Sequence, residues 1–108
     1  MPMPEPRHYS LDDLEYYPEM FRLVVGNEAV RLNCKEALLL EVFLKRPMVV
    51  HSPEFLWDSV WPTSDAEDWR HALDIRISSL RGKLGKRWGK RLVCRKKLGF
   101  VFCPKGDV

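Results

Sequence analysis

The segment from residue 67 to residue 84 constrains the fold more than any other part of this chain. Its apolar side chains recur at steps of four, four, three and four residues. These side chains are Trp69, Leu73, Ile77, Leu80 and Leu84. At roughly 100° per residue they fall within about 80° of a helical circumference, which is one face of an α-helix. Gly85 follows, where helices commonly end. The spacing predicts an amphipathic helix over residues 67–84 that packs on a core along one side.

The opposite side of this predicted helix is the side that a partner would meet. Its residues are mostly small, and they are His71, Ile75, Ser78, Ser79 and Gly82. Its edges are basic, with Arg70 and Arg81 on one edge and Arg76 and Lys83 on the other. Cations suit phosphates, whereas reading base edges usually takes long polar side chains. This face therefore predicts firm phosphate contact with modest discrimination between bases.

Charge is divided unequally along the chain. Residues 70–105 contain twelve Lys or Arg and one acid, whereas residues 1–69 contain six bases and thirteen acids. A compact basic pole on a small domain suits a polyanion, and nucleic acid is the most common one. The alternative is a solvated, lysine-rich surface without a partner.

The N-terminal part predicts a small antiparallel sheet. Short apolar runs fill residues 11–32, and Gly26-Asn27 separates two of them in the manner of a hairpin turn. Residues 1–10 contain three prolines and predict an extended tail. We therefore expect one domain over residues 11–105.

Two further helices are predicted before the amphipathic one. Asn33 and Glu36 have the spacing of a capping box and predict a helix start, with the helix ending near Lys45. Ser52-Pro53 predicts a second start, with a cap followed by proline in the first turn. Residues 48–50 are expected to form a buried link between the two helices. The buried side of the second helix is expected to contain Phe55, Leu56, Trp57 and Val60.

The C-terminal part predicts a basic turn and a hairpin. Residues 86–91 are the turn, and two apolar strands follow at residues 92–95 and 99–103. Lys96, Lys97 and Leu98 lie between the strands, so the hairpin has a positively charged tip.

Several classes of protein are not indicated. No stretch approaches the roughly 20 apolar residues of a membrane span, and the N-terminus lacks an apolar signal core. The three cysteines form no C-x-x-C pair and are expected to be buried apolar residues in a reducing cytoplasm, although a Cys94–Cys103 pairing across the hairpin stays open. The histidines are scattered. We expect no enzyme, no cofactor and no metal.

This α+β order of sheet, three helices and hairpin is that of a winged helix-turn-helix. In addition, four segments of the sequence resemble the DNA-binding domain of OmpR/PhoB-type response regulators. The segments are residues 30–36, 49–61, 73–84 and 98–102. The third resembles the family pattern V-D-V-H-I-S-R-L-R-x-K-L, and the fourth the end of the wing. Ser79 departs from the family arginine, and Lys97 from the usual wing glycine.

The resemblance implies double-stranded DNA binding and transcription regulation in a bacterium or phage. The helix at about 67–84 would enter the major groove, and the wing at about 92–103 the adjacent minor groove. Asp74 would be structural. The residues expected to contact DNA are Trp61, Arg70, His71, Ile75, Arg76, Ser78, Ser79, Arg81, Lys83, Arg95, Lys96 and Lys97. No receiver domain precedes the fold in this sequence, so a standalone regulator is expected.

Protein partners are the alternative. The acidic loop at residues 62–68 would face RNA polymerase in the resembling family, although it also suits the helix dipole at the start of the third helix. The competing hypothesis is a protein-binding winged-helix adaptor that docks on RNA polymerase or on another regulator. As a DNA-binding protein, the chain would be a monomer or a weak dimer on tandem sites.

Overall fold

A computed structural model describes residues 8–61 and 67–105 of the chain. Four strands form an antiparallel sheet in the order β1-β2-β3-β4, and three helices and a two-stranded hairpin follow. The strands are β1 Tyr9–Leu11, β2 Leu14–Tyr17, β3 Arg22–Val25, β4 Glu28–Arg31, β5 Leu92–Arg95 and β6 Gly99–Phe102. The helices are α1 Cys34–Lys45, α2 Pro53–Val60 and α3 Trp69–Gly89. The predicted fold class and order of elements are confirmed.

The N-terminal sheet begins two residues before the predicted strands. Tyr9 pairs with Tyr16 and Ser10 with Glu15, so the last two residues of the predicted tail belong to the sheet, and residues 1–7 lie outside the described residues. Phe21, in one of the apolar runs between residues 11 and 32, is not part of a strand and follows a short 3₁₀ turn in a left-handed conformation with φ of 51°. Gly26 forms the predicted tight turn between β3 and β4 with φ of 60°.

Both predicted helix starts are confirmed. The side chain of Asn33 accepts a hydrogen bond from the Glu36 backbone N–H, and the Glu36 side chain accepts one from the Asn33 N–H, which completes the capping box. At α2 the Ser52 hydroxyl accepts a hydrogen bond from the Phe55 N–H, and Pro53 occupies the first turn. These local bonds set where each helix begins.

The third helix is longer than predicted and is broken at Gly85. Gly85 has φ of 85° and ψ of 177°, a conformation that essentially only glycine adopts. The predicted helix therefore ends near Leu84 as expected, but a further helical turn replaces the first part of the predicted basic turn. This extra turn buries Trp88, whose indole N–H donates to the Asp13 carboxylate at 3.0 Å. The end of α3 is thereby attached to the N-terminal sheet.

One core joins the sheet, the helices and the hairpin. From α3 it takes Leu73, Ile77, Leu80, Leu84 and Trp88, while Trp69 is only half-buried against it. Every residue of β6 is buried. Cys34 and Cys94 are exposed, contrary to the expected burial of all three cysteines, and none is in a disulfide.

Two burial predictions are wrong. Met48, Val49 and Val50 are exposed by 58%, 46% and 41%. Their segment runs beside the hairpin through backbone hydrogen bonds, since the Met48 N–H donates to Phe102 O and the His51 N–H to Phe100 O. Phe55 is also exposed, because the short α2 buries the side that carries Leu56 and Val60.

Candidate nucleic-acid interface

The face of α3 opposite the core lies open. Its exposed residues are His71, Asp74, Ile75, Ser78 and Gly82. Ile75 is exposed by 52%, which is unusual for an isoleucine on a helix that is otherwise firmly packed. A Cβ added at Gly82 would meet no atom within 4 Å, so packing inside the described part of the chain does not require a glycine there.

One edge of this face is held by the hairpin. The Arg81 guanidinium donates from Nε to the Leu92 carbonyl at 2.9 Å, and Arg70 lies 5.7 Å from the centre of the Phe100 ring. Arg70 also pairs with Asp74, four residues further along the helix, at 3.3 Å. The hairpin therefore runs beside α3, with Phe100 near the start of the helix and Leu92 nearer its end.

The other edge is held by Glu36 of α1. Its carboxylate is fully buried and accepts hydrogen bonds from the Ser79 hydroxyl, from Lys83 Nζ at 2.5 Å and from the Asn33 N–H. Ser79 and Lys83, both predicted to contact DNA, point their polar groups at α1 instead. We reassign them to positioning α3, because a buried carboxylate needs these donors.

The environment of Glu36 keeps it ionised. Burial raises the pKa of its carboxyl, but the hydrogen bonds from Lys83, Ser79 and Asn33 and the charge of Lys83 outweigh burial. The pKa therefore lies below its ordinary value of 4.5. At neutral pH the Glu36–Lys83 ion pair is formed.

Arg76 and Trp61 are two further residues that were predicted to contact DNA. Arg76 is half-exposed, and no partner for it occurs among residues 8–61 and 67–105. Trp61, half-buried at the end of α2, stacks on Trp57 with ring centres 4.3 Å apart. Lys35 Nζ lies 5.4 Å from the Trp61 ring centre and donates to the Val60 carbonyl. The contacts with Trp57 and Lys35 cover part of the Trp61 side chain, so Trp61 is only partly accessible to a partner.

The hairpin tip is exposed beyond its buried strands. The Leu98 N–H donates to the Arg95 carbonyl at 2.9 Å and closes the turn, and Lys97 has φ of 68°. Arg95 is half-exposed, whereas Lys96 and Lys97 are exposed and have no partner in the part of the chain that the structure describes. Gly99 is essential at the base, since a Cβ there would stand 2.0 Å from the His51 carbonyl oxygen.

Sequence reasoning missed two features of this surface. Lys86 and Lys90 line a shallow cleft of about 650 Å³ beside Gly82 and the start of β5. Lys86 lies on the extra helical turn and Lys90 directly follows it, which brings both next to the open face, and only the kink at Gly85 could have indicated this position. The contacts of Glu36 with α3 were also missed, because the capping-box spacing already gives Glu36 a role at the start of α1.

The acidic loop lies mostly outside the described residues, which omit 62–66. Of its remaining residues, Glu67 and Asp68 are exposed, and Asp68 precedes α3 without a side-chain capping hydrogen bond. Within the described ranges no three His, Cys, Asp or Glu residues lie close enough to hold a metal ion. Nor does any helix there have the length and apolar character to cross a membrane.

Comparison with known proteins gives consistent matches. Residues 26–102 match the family model described as "Transcriptional regulatory protein, C terminal". The transcriptional regulatory protein TcrA of Mycobacterium tuberculosis is 31% identical over 88 residues, which are 82% of this chain and 34% of TcrA. YvrH of Bacillus subtilis is 29% identical over 101 residues, which are 92% of this chain and 42% of YvrH. The chain thus spans about a third to two fifths of the length of these relatives.

Solved structures share the fold. The Klebsiella pneumoniae RstA DNA-binding domain, solved in complex with the RstA box, superposes with a TM-score of 0.77 at 20% identity. The match covers 91% of this chain and 98% of that domain. The DNA-binding domain of Escherichia coli CpxR gives a TM-score of 0.75 at 23% identity, covering 90% of this chain and 96% of that domain.

Proposed function

Because the chain belongs to the OmpR/PhoB-type family of C-terminal domains of transcriptional regulatory proteins, we propose that it binds double-stranded DNA and regulates transcription. The RstA domain of the same fold was solved on its DNA box. By analogy α3 enters the major groove, and the β5–β6 hairpin lies at the adjacent minor groove. Such a regulator works where the chromosome is, in the cytoplasm.

The observation that carries this proposal is the open face of α3 between two fixed edges. Arg81 and Arg70 hold one edge against the hairpin, and Glu36 holds the other edge against α1. A helix fits the major groove of B-DNA only if one whole side is clear, because the groove is about 12 Å wide. Here the clear side is the one that carries Ile75 and Gly82.

The contacts divide by the chemistry of the side chains. His71, Ile75 and Ser78 face the bases, where Ile75 suits a thymine methyl group. The proposed phosphate contacts are Arg70, Arg76, Lys86, Lys90, Arg95, Lys96 and Lys97, with Trp61 at the edge. Arg81 keeps the hairpin in place and offers its remaining nitrogens to the backbone. With few long polar groups toward the bases, the binding is sequence-biased and depends strongly on phosphates.

Selection of bound duplexes from random DNA at physiological salt is the direct test. We expect an enriched motif, and a tandem repeat of it would indicate paired copies. Binding through about five to eight phosphates should weaken about 10³–10⁴-fold between 50 and 200 mM salt. Absence of duplex binding at low salt would contradict the proposal.

One observation favours a second candidate, the protein-binding adaptor. Met48, Val49, Val50 and Phe55 expose apolar side chains close together in sequence. Such a surface suits a protein partner. RNA polymerase is the candidate, because the acidic loop at residues 62–68 would face it in the resembling family. If this candidate is correct, the chain should bind RNA polymerase in the absence of DNA, and a Val49→Ser, Phe55→Ser double variant should lose that binding.

A further inference from the structure

The tip of the hairpin carries an unpacked apolar side chain. Leu98 is exposed by 64%, more than any other large hydrophobic residue in the described ranges. The strands behind it are firmly anchored, because β6 is buried throughout and its start pairs with His51. The leucine therefore projects from a fixed base, and nothing within the described fold requires an apolar residue there.

The surroundings of Leu98 indicate what could cover it. Lys96 and Lys97 precede it directly, are exposed and have no acidic partner in residues 8–61 or 67–105. Lys97 occupies a left-handed conformation that favours glycine, yet the chain places a cation there. An apolar tip beside two unpaired cations is complementary to a cleft with anionic rims and an apolar interior. The DNA minor groove has phosphates on both rims and apolar deoxyribose walls, and although its floor carries polar base edges, a separated base step exposes apolar base faces.

We propose that Leu98 enters the minor groove as an apolar wedge that partly unstacks one base step and bends the duplex. Lys96 and Lys97 then lie against the phosphates of the two rims. The inference rests on the proposed function, since it needs the hairpin to lie at the groove beside α3. Apolar side chains inserted in this way kink DNA toward the major groove. Flexible pyrimidine–purine steps should therefore be preferred under the hairpin, since they unstack most easily.

The test compares Leu98→Ser with two control variants on the duplex recovered by selection. Met20→Ser removes a similarly exposed apolar side chain, 54% exposed, beside the N-terminal sheet. Lys96→Gln removes a charge at the same tip. Affinity is measured at several salt concentrations, and bending is measured by energy transfer between dyes at the duplex ends. A fluorescent adenine analogue, moved one position at a time through the flanking sequence, reports unstacking.

Leu98→Ser should bind about tenfold more weakly with an unchanged dependence on salt, because it removes apolar contact and no phosphate contact. Its bend and the local fluorescence increase should disappear. Lys96→Gln should instead lower the salt slope by about one and keep the unstacking, and Met20→Ser should match the wild type. Thermal unfolding of each variant checks that the fold is kept.

A wild-type complex without unstacking, or a Leu98→Ser variant that binds and bends as the wild type does, would overturn the wedge while leaving DNA binding intact. Tight capture of a protein at the tip, lost in Leu98→Ser without change in DNA binding, would also overturn it. Failure of the wild type to bind any duplex would overturn the proposed function together with the wedge.

Discussion

At the scale of single residues, the buried polar side chains decide which groups are available to a partner. Glu36 is a helix-capping residue and also binds Ser79 and Lys83 of α3. Those two residues lie 43 and 47 positions further along the chain. A single carboxylate thus removes two polar groups from the surface that a helical wheel would assign to DNA.

Replacing Glu36 with Gln should lower the free energy of unfolding by about 3 kcal/mol at neutral pH, because the Lys83 ammonium loses its partner. The pKa of the Glu36 carboxyl is lowered by folding, so its contribution is present above pH 4.5 and is lost as the pH falls through the lowered value. Urea unfolding at several pH values should show the difference between the two proteins shrinking in acid. Glu28→Gln, at an exposed position on β4, should show no such difference.

His51 differs from Glu36, because it is a buried group that folding keeps neutral. It lies between Phe43 and Phe55, and its Nε2 has no hydrogen-bond partner among the described residues. Burial lowers the pKa of the imidazole below its ordinary value of 6.5, against a hydrogen bond with the Arg46 backbone that raises it.

The fold should therefore lose stability as the pH falls below 6.5, because the unfolded chain takes up a proton more readily than the native one. His51→Phe should show a weaker decline as the pH falls below 6.5, measured as urea midpoints. His71→Asn, on the exposed face of α3, serves as the control and should follow the wild type. An equal decline in all three proteins would contradict this account of His51.

At the scale of elements, α3 consists of the segment up to Leu84 and one further turn, joined at Gly85. The kink turns the chain so that Trp88 reaches the core and Asp13, while Lys86 and Lys90 border the open face. Gly82, three residues earlier, has ordinary helical geometry and open space around it. The two glycines therefore have different reasons to be present.

Replacing each glycine with alanine should distinguish the backbone requirement at Gly85 from the open space at Gly82. Gly85→Ala should lower the free energy of unfolding by about 1–3 kcal/mol, because alanine is strained at φ of 85°. Gly82→Ala should raise it by about 1 kcal/mol through better helix propensity. On DNA, Gly82→Ala should bind more weakly, since its methyl group would stand on the open face that we propose enters the major groove. Equal stability changes for both variants would show that the kink is not set by Gly85.

At the scale of the whole molecule, the fold places only some of the cations of the last third beside the open face of α3, among them Lys86 and Lys90 next to Gly82. Arg87 instead pairs with Asp12 and Asp13 of the β1–β2 turn, so not every base of the basic pole is available to DNA. Counting charges in the sequence therefore overstates the number of phosphate contacts.

Two arginines without partners in the described ranges test this arrangement. Arg76 lies at an edge of α3, and Arg22 lies on the N-terminal sheet opposite Arg31. Arg76→Ala should weaken duplex binding and lower the salt slope by about one. Arg22→Ala removes the same charge and should leave both unchanged. Equal loss in the two variants would mean that only net charge attracts DNA.

Much of this molecule is determined by the sequence alone. The spacing of Leu73, Ile77, Leu80 and Leu84 defines the buried side of α3, and the Asn33–Glu36 pair defines where α1 begins. Both are local properties, because a helix repeats over a few residues and a cap closes within four. The order of such elements was enough to predict the winged fold and its open face.

Only the tertiary structure decided which residues around that face remain available. Ser78 and Ser79 are neighbours of the same type, yet Ser78 faces outward and Ser79 binds Glu36 of another helix. Likewise Val49 is apolar but exposed, while Trp88 lies beyond the predicted helix end and is buried. The reason is that these outcomes depend on the packing of elements far apart in the chain, and that packing leaves no periodic pattern in the sequence.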